Sequence, residues 1–299
     1  MSGATFYSQA TLSVSVLVCA GCLHLLSEDL VAQKAVPMSR LYVDYSAKPD
    51  AEALLSHNLC ILDPASAADL PRGQQNGNVY LAYVSAVEVL PGTPNAARAN
   101  ARGIPTLAHN AEWGADVLDV TNKGWLDYVV ADLAGAALAK GYDGFFLDTL
   151  DSTACIVAAQ PRKAAACHAA LVALIKKLRE RFPQKRIVLN RGFDLLDETV
   201  SSINGVVVEG LYQTGDAAGK KYRAVSASDT AWLLERIRRV EARKLLVFVI
   251  DYVAPGDLNL ARHTAERIAA QGCVPFVTTP ELHGKILAPL FSHGIGNDH

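Results

Sequence analysis

The chain has 299 residues, of which 51% are hydrophobic and 19% are charged, a balance that excludes a disordered or fibrous protein. Its 28 basic and 30 acidic residues give a formal net charge of −2, and no run of Lys or Arg exceeds two residues. A protein that holds nucleic acid by bulk electrostatics needs a clustered basic face, so we expect no nucleic-acid partner. Six cysteines are too few for a disulfide scaffold.

Residues 1–36 have the composition of a leader that precedes the folded domain. Residues 11–21 (TLSVSVLVCAG) form an apolar run of the length found in signal peptides, too short to span a bilayer comfortably. The sequence Ala20-Gly21-Cys22 resembles the end of a bacterial lipoprotein processing site, which leaves membrane attachment through the N-terminus open. We therefore expect a periplasmic or extracellular protein. A cytoplasmic protein is the alternative, because no Lys or Arg precedes Lys34.

Eight short apolar runs predict the strands of a sheet. The runs are continuous rather than alternating, which is typical of strands that are buried on both faces of a parallel sheet. The predicted strands cover residues 40–45, 59–62, 79–84, 144–147, 186–189, 205–208, 245–250 and 273–277.

The segments between the predicted strands carry helical patterns. Residues 163–182 place apolar side chains on one face and end before Pro183, and residues 228–243 place Trp232 on an apolar stripe. Helices are also predicted over 122–140 and 258–271, whereas 91–105 (PGTPNAARANARGIP) is expected to be a helix-poor lid. Strands that alternate with helices predict an α/β fold. It is a single-domain (β/α)8 TIM barrel over residues 37–283, followed by a short C-terminal tail over 284–299.

Acidic side chains follow several predicted strands, at the end of a parallel barrel where active sites lie. Asp148 follows the apolar run GFFL and Glu209 follows GVVV, so both carboxyl groups are predicted at the ends of buried strands. A buried carboxylate is costly unless it is paired, hydrogen-bonded or used in catalysis. A helix cap or a turn explains Asp63, which precedes Pro64, but it explains Asp148 and Glu209 poorly. Other polar residues at predicted strand ends are Tyr45, Ser85, Glu88, Asp151, Asn190, Arg191, Asp251 and Tyr252.

A ring of carboxylates without histidine clusters is the pattern of glycoside hydrolysis. One carboxyl group protonates the leaving oxygen, and the other attacks the anomeric carbon or activates water. The sequence has no GxSxG, Walker or GxGxxG motif, and its eight histidines form neither HxH nor HExxH. We therefore expect no metal and no cofactor.

Two alternatives stay open. One is a carbohydrate-binding barrel that has lost catalysis, and the distance between the two carboxylates would discriminate it. The other is a barrel enzyme of phosphate chemistry. The segments after strands seven and eight, DYVAPGD (251–257) and TTPEL (278–282), lack the Gly-rich pattern that a phosphate site there requires.

At residues 142–152 (YDGFFLDTLDS) the chain resembles the fourth strand of the endo-α-1,4-polygalactosaminidase barrels, glycoside hydrolase family 114. It is even more similar to family 166, that of the N-terminal hydrolase domain of the bacterial Pel polysaccharide protein. The resemblance continues through VDYSAKP (43–49), ILDP (61–64), LAYVSAVEV (81–89), EWGADVLDVTN (112–122), LNRGFDLL (189–196), VVVEGLY (206–212), YRAVSASDTAWL (222–233), VIDYVAPGD (249–257) and AERIAAQGCVPFVTTPEL (265–282). It spans about residues 41–282, and LDTLDS followed by NRGF and a strand-end Glu is a specific combination.

The resemblance implies a catalytic pair, with Asp148 as the nucleophile and Glu209 as the general acid/base. It also implies an endo-acting, retaining hydrolase of α-1,4-linked galactosamine and N-acetylgalactosamine polymers. Such a polysaccharide is partly deacetylated and cationic, and an acidic barrel mouth would attract it. The carboxylates expected to converge at this mouth are Asp63, Glu88, Asp148, Asp151, Glu209 and Asp251.

Aromatic side chains near these carboxylates are predicted to contact the polysaccharide. Trp113 is a candidate for stacking on a sugar ring, with a loop anchor in the core as the alternative. Tyr45 and Tyr252 follow buried strands and are expected to hydrogen-bond sugar hydroxyls. Tyr83 and Tyr212 lie in the matched motifs, and the resemblance assigns them to substrate contact as well.

Three polar residues at strand ends are expected to support the catalytic pair. Asn190 and Tyr252 are predicted to hydrogen-bond Asp148 and keep it ionised, and Arg191 to orient a catalytic carboxylate, with an ordinary ion pair as the alternative. Trp125 and Trp232 lie at core spacing on predicted helices, so we expect both to pack in the core.

Overall fold

The computed structural model describes residues 38–216 and 219–288. The predicted leader over 1–36, with Cys22, lies outside the described residues, as does most of the predicted tail. Within the described ranges, no helix combines the length and the apolar character needed to cross a membrane. Export and attachment through the N-terminus therefore stay predictions.

Eight parallel strands form one sheet that curves into a nearly closed barrel, which confirms the predicted (β/α)8 fold. The barrel strands are β1 (Leu41–Asp44), β2 (Leu59–Leu62), β3 (Val79–Ser85), β4 (Gly144–Asp148), β5 (Arg186–Asn190), β6 (Gly205–Glu209), β7 (Leu246–Tyr252) and β8 (Val274–Thr278). Each strand overlaps one predicted apolar run, and the runs are continuous because the sheet is covered on both faces.

Helices lie between the strands. They are α1 (Ala51–Ser56), α2 (Leu70–Gln74), α3 (Pro94–Ala101), α4 (Lys123–Asp127), α5 (Ala136–Ala139), α6 (Thr153–Ala159), α7 (Ala164–Arg181), α8 (Leu196–Thr199), α9 (Ala227–Glu241) and α10 (Leu258–Ala269). A π-helical segment, Tyr128–Gly135, joins α4 to α5, so the predicted helix over 122–140 is one continuous helical stretch. Short 3-10 turns occur at Leu150–Ser152, Pro161–Lys163, Phe193–Leu195 and Val200–Ser202.

Two small antiparallel sheets decorate the barrel. One, between β3 and β4, has the strands Glu88–Val89, Thr106–Asn110 and Ala115–Leu118, and the other, after β6, has Gln213–Gly215 and Tyr222–Ala224. The prediction of a helix-poor stretch over 91–105 is wrong, because α3 forms there. The Thr93 side chain caps α3 by accepting the Ala96 N–H, Pro94 fits its first turn, and alanines extend it.

The barrel is closed by a seam between its first and last strands. β1 and β8 lie next to each other, but no ladder joins them in the described part of the chain. Instead, the Tyr45 N–H donates to the Leu282 carbonyl (2.7 Å), and Asp44 pairs with His283 in a single antiparallel bridge. The chain that follows β8 thus covers the carboxyl end of the seam.

Side chains on the barrel strands alternate between an inner layer and an outer layer that packs against the helices. On β4, Phe146 belongs to the inner cluster, whereas Phe145 and Leu147 pack with the buried face of α7. Neighbouring strands contribute Val188 and Val207 to the same inner cluster. The interior beneath the carboxyl end is therefore apolar.

The two helical tryptophans differ in their environment. Trp125 is buried as predicted, and its Nε1 donates to the carbonyl of Ala86 (2.8 Å). The prediction is wrong for Trp232, which is 46% exposed and lies beneath the Arg236 guanidinium. The buried face of α9 begins one residue later, at Leu233, and one residue turns a helix by about 100°.

Gly144 opens β4 at a point where the strands approach closely. A Cβ at this position would lie 2.0 Å from the carbonyl oxygen of Arg186 on β5, so the variant Gly144→Ala must push the two strands apart. We predict that it lowers the free energy of unfolding by about 3 kcal/mol, measured by urea titration. Gly256→Ala is the matched control, because its Cβ would meet no atom within 4 Å. Equal stability of the two variants would contradict the prediction.

Candidate active site

Six polar side chains extend the inner layer of the barrel at its carboxyl end. Each lies two residues after an inner-layer residue of its strand, and this spacing puts both on the same face of the sheet. The six are Tyr45, Tyr83, Asp148, Asn190, Glu209 and Tyr252, which follow Val43, Leu81, Phe146, Val188, Val207 and Ile250. All six are site residues that the sequence predicts, and the parallel strands bring them to one end of the barrel.

Asn190 connects the two carboxyl groups of this cluster. It lies on β5, between the strands that carry Asp148 and Glu209. Its Nδ2 is 2.7 Å from Asp148 Oδ1 and 2.7 Å from Glu209 Oε1. An amide nitrogen carries two hydrogens, so Asn190 donates one to each carboxyl group. The two acceptor oxygens are therefore separated by at most twice 2.7 Å.

The environment of Asp148 disfavours its charge. Burial, followed by the negative charge of Glu209, raises the pKa of Asp148 to about 6. Three donors oppose this shift by stabilising the anion, namely the Asn190 amide, the Thr149 backbone N–H and the Tyr83 hydroxyl. Two carboxyl groups this close resist simultaneous ionisation, which favours a state in which one of the two holds a proton.

Three tyrosines surround the pair and keep their protons. Burial and then the nearby negative charges raise the pKa values of Tyr45, Tyr83 and Tyr252 well above their usual range. Tyr83 favours the ionised form of Asp148. The prediction that Tyr252 bonds Asp148 is wrong, because the Tyr252 hydroxyl donates to Glu209 Oε2. The rings of Tyr45 and Tyr83 contact each other, with centroids 4.8 Å apart. The carboxyl groups thus lie in a setting of fixed hydroxyl donors.

The backbone turns left-handed directly after three of the site residues. The left-handed residues are Thr149, Arg191 and Gly210, with φ of 65°, 51° and 68°, and they follow Asp148, Asn190 and Glu209. This conformation costs a non-glycine residue about 1–3 kcal/mol and is least favourable for a β-branched side chain such as Thr. The left-handed residue ends each of these three strands, so the site residue before it is the last inward-facing residue of its strand.

Glu88 and Asp63 lie at the edge of the cluster. Burial is the largest cause of the raised pKa values of Tyr83 and Tyr45, and the negative charges of Glu88 and Asp63 add to them respectively. Each carboxylate is therefore close enough to act electrostatically on one tyrosine of the cluster. Glu88 is 7% exposed, and its Oε1 accepts from Asn110 Nδ2 (2.8 Å). Asp63 Oδ1 accepts the Ala65 N–H (2.7 Å), so Asp63 also stabilises a turn, which is the structural explanation that the sequence analysis offered for it.

Three other predicted residues lie near the surface of the described barrel. Trp113 is 54% exposed, between the strands Thr106–Asn110 and Ala115–Leu118, which excludes a buried anchor. Asp151 is exposed in the 3-10 turn after β4. Arg191 Nη2 donates to the backbone carbonyl of Glu209 (2.8 Å), so it contacts the end of β6 and not a carboxylate.

Asp251 and Tyr212 do not join the cluster, which corrects two predictions. Asp251 lies two residues after the outer-layer residue Val249 on β7, so it faces the outer layer, where it is fully buried. Its carboxylate accepts the backbone N–H groups of Leu211, Tyr212 and Gln213 at 2.6–2.9 Å. The Tyr212 ring is buried beneath the Arg267 guanidinium, 3.7 Å from its centroid. Asp251 therefore shapes the turn after β6, and Tyr212 packs against α10.

Thr149 and Asn110 are site residues that the sequence analysis missed. Thr149 directly follows Asp148 inside the LDTLDS motif, and this adjacency was the available signal. Asn110 lies on a small sheet whose pairing with Glu88–Val89 no sequence pattern indicated. Across the described residues, no group of three or more His, Cys, Asp or Glu side chains is arranged to hold a metal ion.

The turn after β6 depends on both carboxylate oxygens of Asp251. Oδ1 of Asp251 accepts one backbone N–H and Oδ2 accepts two. In Asp251→Asn one of these oxygens becomes an NH2 group, which cannot accept, so at least one backbone N–H loses its partner. We predict that the free energy of unfolding falls by about 1–3 kcal/mol, measured by chemical denaturation. Asp194→Asn, at an exposed position, is the control. A variant as stable as wild type would refute this role of Asp251.

Comparison with known proteins places this geometry in a family. The chain is similar to the glycoside hydrolase domain of PelA from Pseudomonas aeruginosa, with 29% identity and a TM-score of 0.75, over 82% of this chain and 96% of that domain. It also superposes on Aspergillus fumigatus Ega3, solved in complex with galactosamine, with a TM-score of 0.62 over 83% of this chain and 94% of that one. Ega3 is 13% identical, so this likeness concerns the fold alone.

The sequence matches none of the curated proteins with which it was compared. The model of glycoside-hydrolase family GH114 matches residues 39–290, which include every barrel strand and all six residues of the inner polar cluster. The chain therefore belongs to glycoside-hydrolase family GH114.

Proposed function

We propose that this glycosidase is an endo-acting, retaining hydrolase of α-1,4-linked galactosamine and N-acetylgalactosamine polymers. Asp148 is the nucleophile and Glu209 is the general acid/base. The observation that carries the proposal is the amide of Asn190, which donates to both carboxyl groups at 2.7 Å. The separation that follows, at most twice this distance, agrees with the about 5–5.5 Å of retaining glycosidases and is shorter than the about 6.5–9.5 Å of inverting ones.

The hydrogen bonds support the division of roles. Three donors stabilise the Asp148 anion, which suits a nucleophile, whereas Glu209 accepts from Asn190 and Tyr252. In the first step Asp148 attacks the anomeric carbon while Glu209 gives its proton to the leaving oxygen. In the second step Glu209 takes a proton from water, whose oxygen displaces Asp148 from the sugar. Asn190 keeps both carboxyl groups in place throughout.

The charge around the pair suits a cationic amino sugar. Asp63 and Glu88 add negative charge at the edge of the cluster, within electrostatic reach of Tyr45 and Tyr83. Galactosamine, the ligand in the Ega3 structure, is cationic when its amine is free. Trp113, exposed on its hairpin, offers a surface for stacking on a sugar ring. The apolar run over 11–21 favours export to the periplasm or cell exterior, where such polysaccharides lie.

The direct experiment is incubation of the protein with partly deacetylated N-acetylgalactosamine polymer. We expect new reducing ends from internal cleavage, and proton NMR of the first products should show the α-anomer before mutarotation. The β-anomer as first product would contradict retention. No cleavage of this polymer or of its fully acetylated and fully deacetylated forms would contradict the proposed substrate.

Removal of either carboxylate tests the assignment of the pair. Asp148→Asn and Glu209→Gln should each lower turnover by about 10²–10⁴-fold. A nitrophenyl leaving group needs little acid assistance, so an oligosaccharide that carries one should release nitrophenol in a rapid first-turnover burst with Glu209→Gln and not with Asp148→Asn. Later turnovers of Glu209→Gln stay slow, because the second step lacks its base. Glu235→Gln, an exposed change on α9, is the matched control. A burst in the opposite variant would reverse the roles of the two residues.

The pKa of Asp148 predicts the acid limb of the pH profile. A nucleophile must be ionised, so kcat/KM should fall as the pH drops below about 6, the value to which burial and Glu209 raise this pKa. Because the charge of Glu209 contributes to the shift, Glu209→Gln should lower the pKa of Asp148. Carbon NMR titration of the Asp148 carboxyl group, assigned with Asp148→Asn, measures both values. An unchanged midpoint in Glu209→Gln would contradict the coupling.

A further inference from the structure

Two hydroxyl groups connect the strand that carries Asp148 to the neighbouring segment 86–89, which carries Glu88. Thr149 Oγ1 accepts the Val87 N–H (3.0 Å) and lies 3.2 Å from Ser85 Oγ. Ser85 Oγ in turn donates to the carbonyl of Glu88 (2.8 Å). The contacts therefore run from the end of β4 to the end of β3 and on to the small sheet.

The direction of these bonds follows from the number of hydrogens. Each hydroxyl has one hydrogen, and a carbonyl only accepts, so Ser85 gives its hydrogen to Glu88. Thr149 Oγ1 donates to the Asp148 carbonyl (2.7 Å), which has two lone pairs and also accepts the Ala86 N–H (3.0 Å), and Ser85 Oγ lies in contact at 3.2 Å. We call this set of contacts the hydroxyl relay, defined as Val87 N–H to Thr149 Oγ1, Thr149 Oγ1 against Ser85 Oγ, and Ser85 Oγ to the Glu88 carbonyl.

The relay accounts for the unusual backbone of Thr149. A β-branched residue rarely adopts a φ of 65°, and such a conformation persists where the surroundings determine it. The Thr149 hydroxyl accepts from Val87, donates to the Asp148 carbonyl and contacts Ser85, and therefore resists rotation of the peptide. The backbone N–H of the same residue favours the ionised form of Asp148 and so lowers its pKa. Its hydroxyl thus determines where that N–H points.

We infer that Thr149 is a positioning residue, which acts through Ser85 to hold the Asp148 carboxylate and the Glu88 segment in one fixed geometry. This inference rests on the proposed function, because it assigns Thr149 to the reaction of Asp148. The Thr149 hydroxyl contacts backbone groups and Ser85, and its effect on the reaction is therefore indirect. A displacement of about 1 Å at a reacting group lowers a rate by about 10²-fold, so loss of the relay affects kcat more than KM.

The test compares three variants with wild type. Thr149→Val keeps the shape and removes the hydroxyl, and Thr149→Ser keeps the hydroxyl. Thr153→Val makes the same change four residues later, at the start of α6, where the hydroxyl donates to the Leu150 carbonyl. We expect Thr149→Val to lower kcat by about 10–100-fold with KM little changed. We expect it also to raise the carbon NMR titration midpoint of Asp148, because the Thr149 backbone N–H, which favours the anion, is no longer held in place. Thr149→Ser and Thr153→Val should resemble wild type in both measurements.

Several results would overturn the inference. If wild type cleaves the polymer and Thr149→Val has the wild-type kcat and titration midpoint, the relay has no positioning role. If Thr149→Ser is as impaired as Thr149→Val, the hydroxyl is not the relevant group. If Thr149→Val fails to fold by circular dichroism, Ser85→Ala decides, and a folded Ser85→Ala with wild-type kcat and midpoint refutes the relay. If wild type is inactive, the proposed function fails, and the midpoints alone still test the relay.

Discussion

Two carboxyl groups that lie side by side at the end of an apolar barrel repel each other and lose solvation, and the site is built around that cost. Asn190 offsets it with one amide nitrogen that donates to Asp148 and Glu209 at once. Tyr83 and Tyr252 add one hydroxyl donor to each carboxyl group. The remaining imbalance raises the pKa of Asp148 to about 6, so the pair titrates within the range in which enzymes work.

The barrel geometry makes this arrangement possible. Asn190 lies on the strand between the two carboxylate-bearing strands, and the inward curvature of the sheet brings the three side chains together. Phe146, two residues before Asp148, belongs to the apolar interior that lies beneath the pair. The left-handed residues after the strands turn the chain aside, so no further inward-facing side chain follows.

The small sheet between β3 and β4 adds what the barrel itself does not provide. It brings Asn110 to the carboxylate of Glu88, and it presents Trp113 at the surface. Its first strand is tied to β4 through Thr149 and Ser85, so the edge of the site and the strand end that carries Asp148 are connected by hydrogen bonds and contacts. This connection is why a residue that touches no substrate in our mechanism is expected to affect the rate. Family membership applies to the barrel as a whole.

The sequence by itself determined the barrel, because eight continuous apolar runs separated by helical segments have few other ways to bury their surface. It also determined the inner cluster, since a side chain two residues after an inward-facing one shares its face. Asp251 shows the limit of this rule. It is an acid near a strand end like Glu209, but it directly follows the inward-facing Ile250 on β7, so its side chain points outward and accepts backbone N–H groups of the turn after β6. The donor shared by Asn190 and the contact between Thr149 and Ser85 join residues that are far apart in the chain. Only the tertiary structure decided them, because they depend on strand register and sheet curvature, which no local pattern encodes.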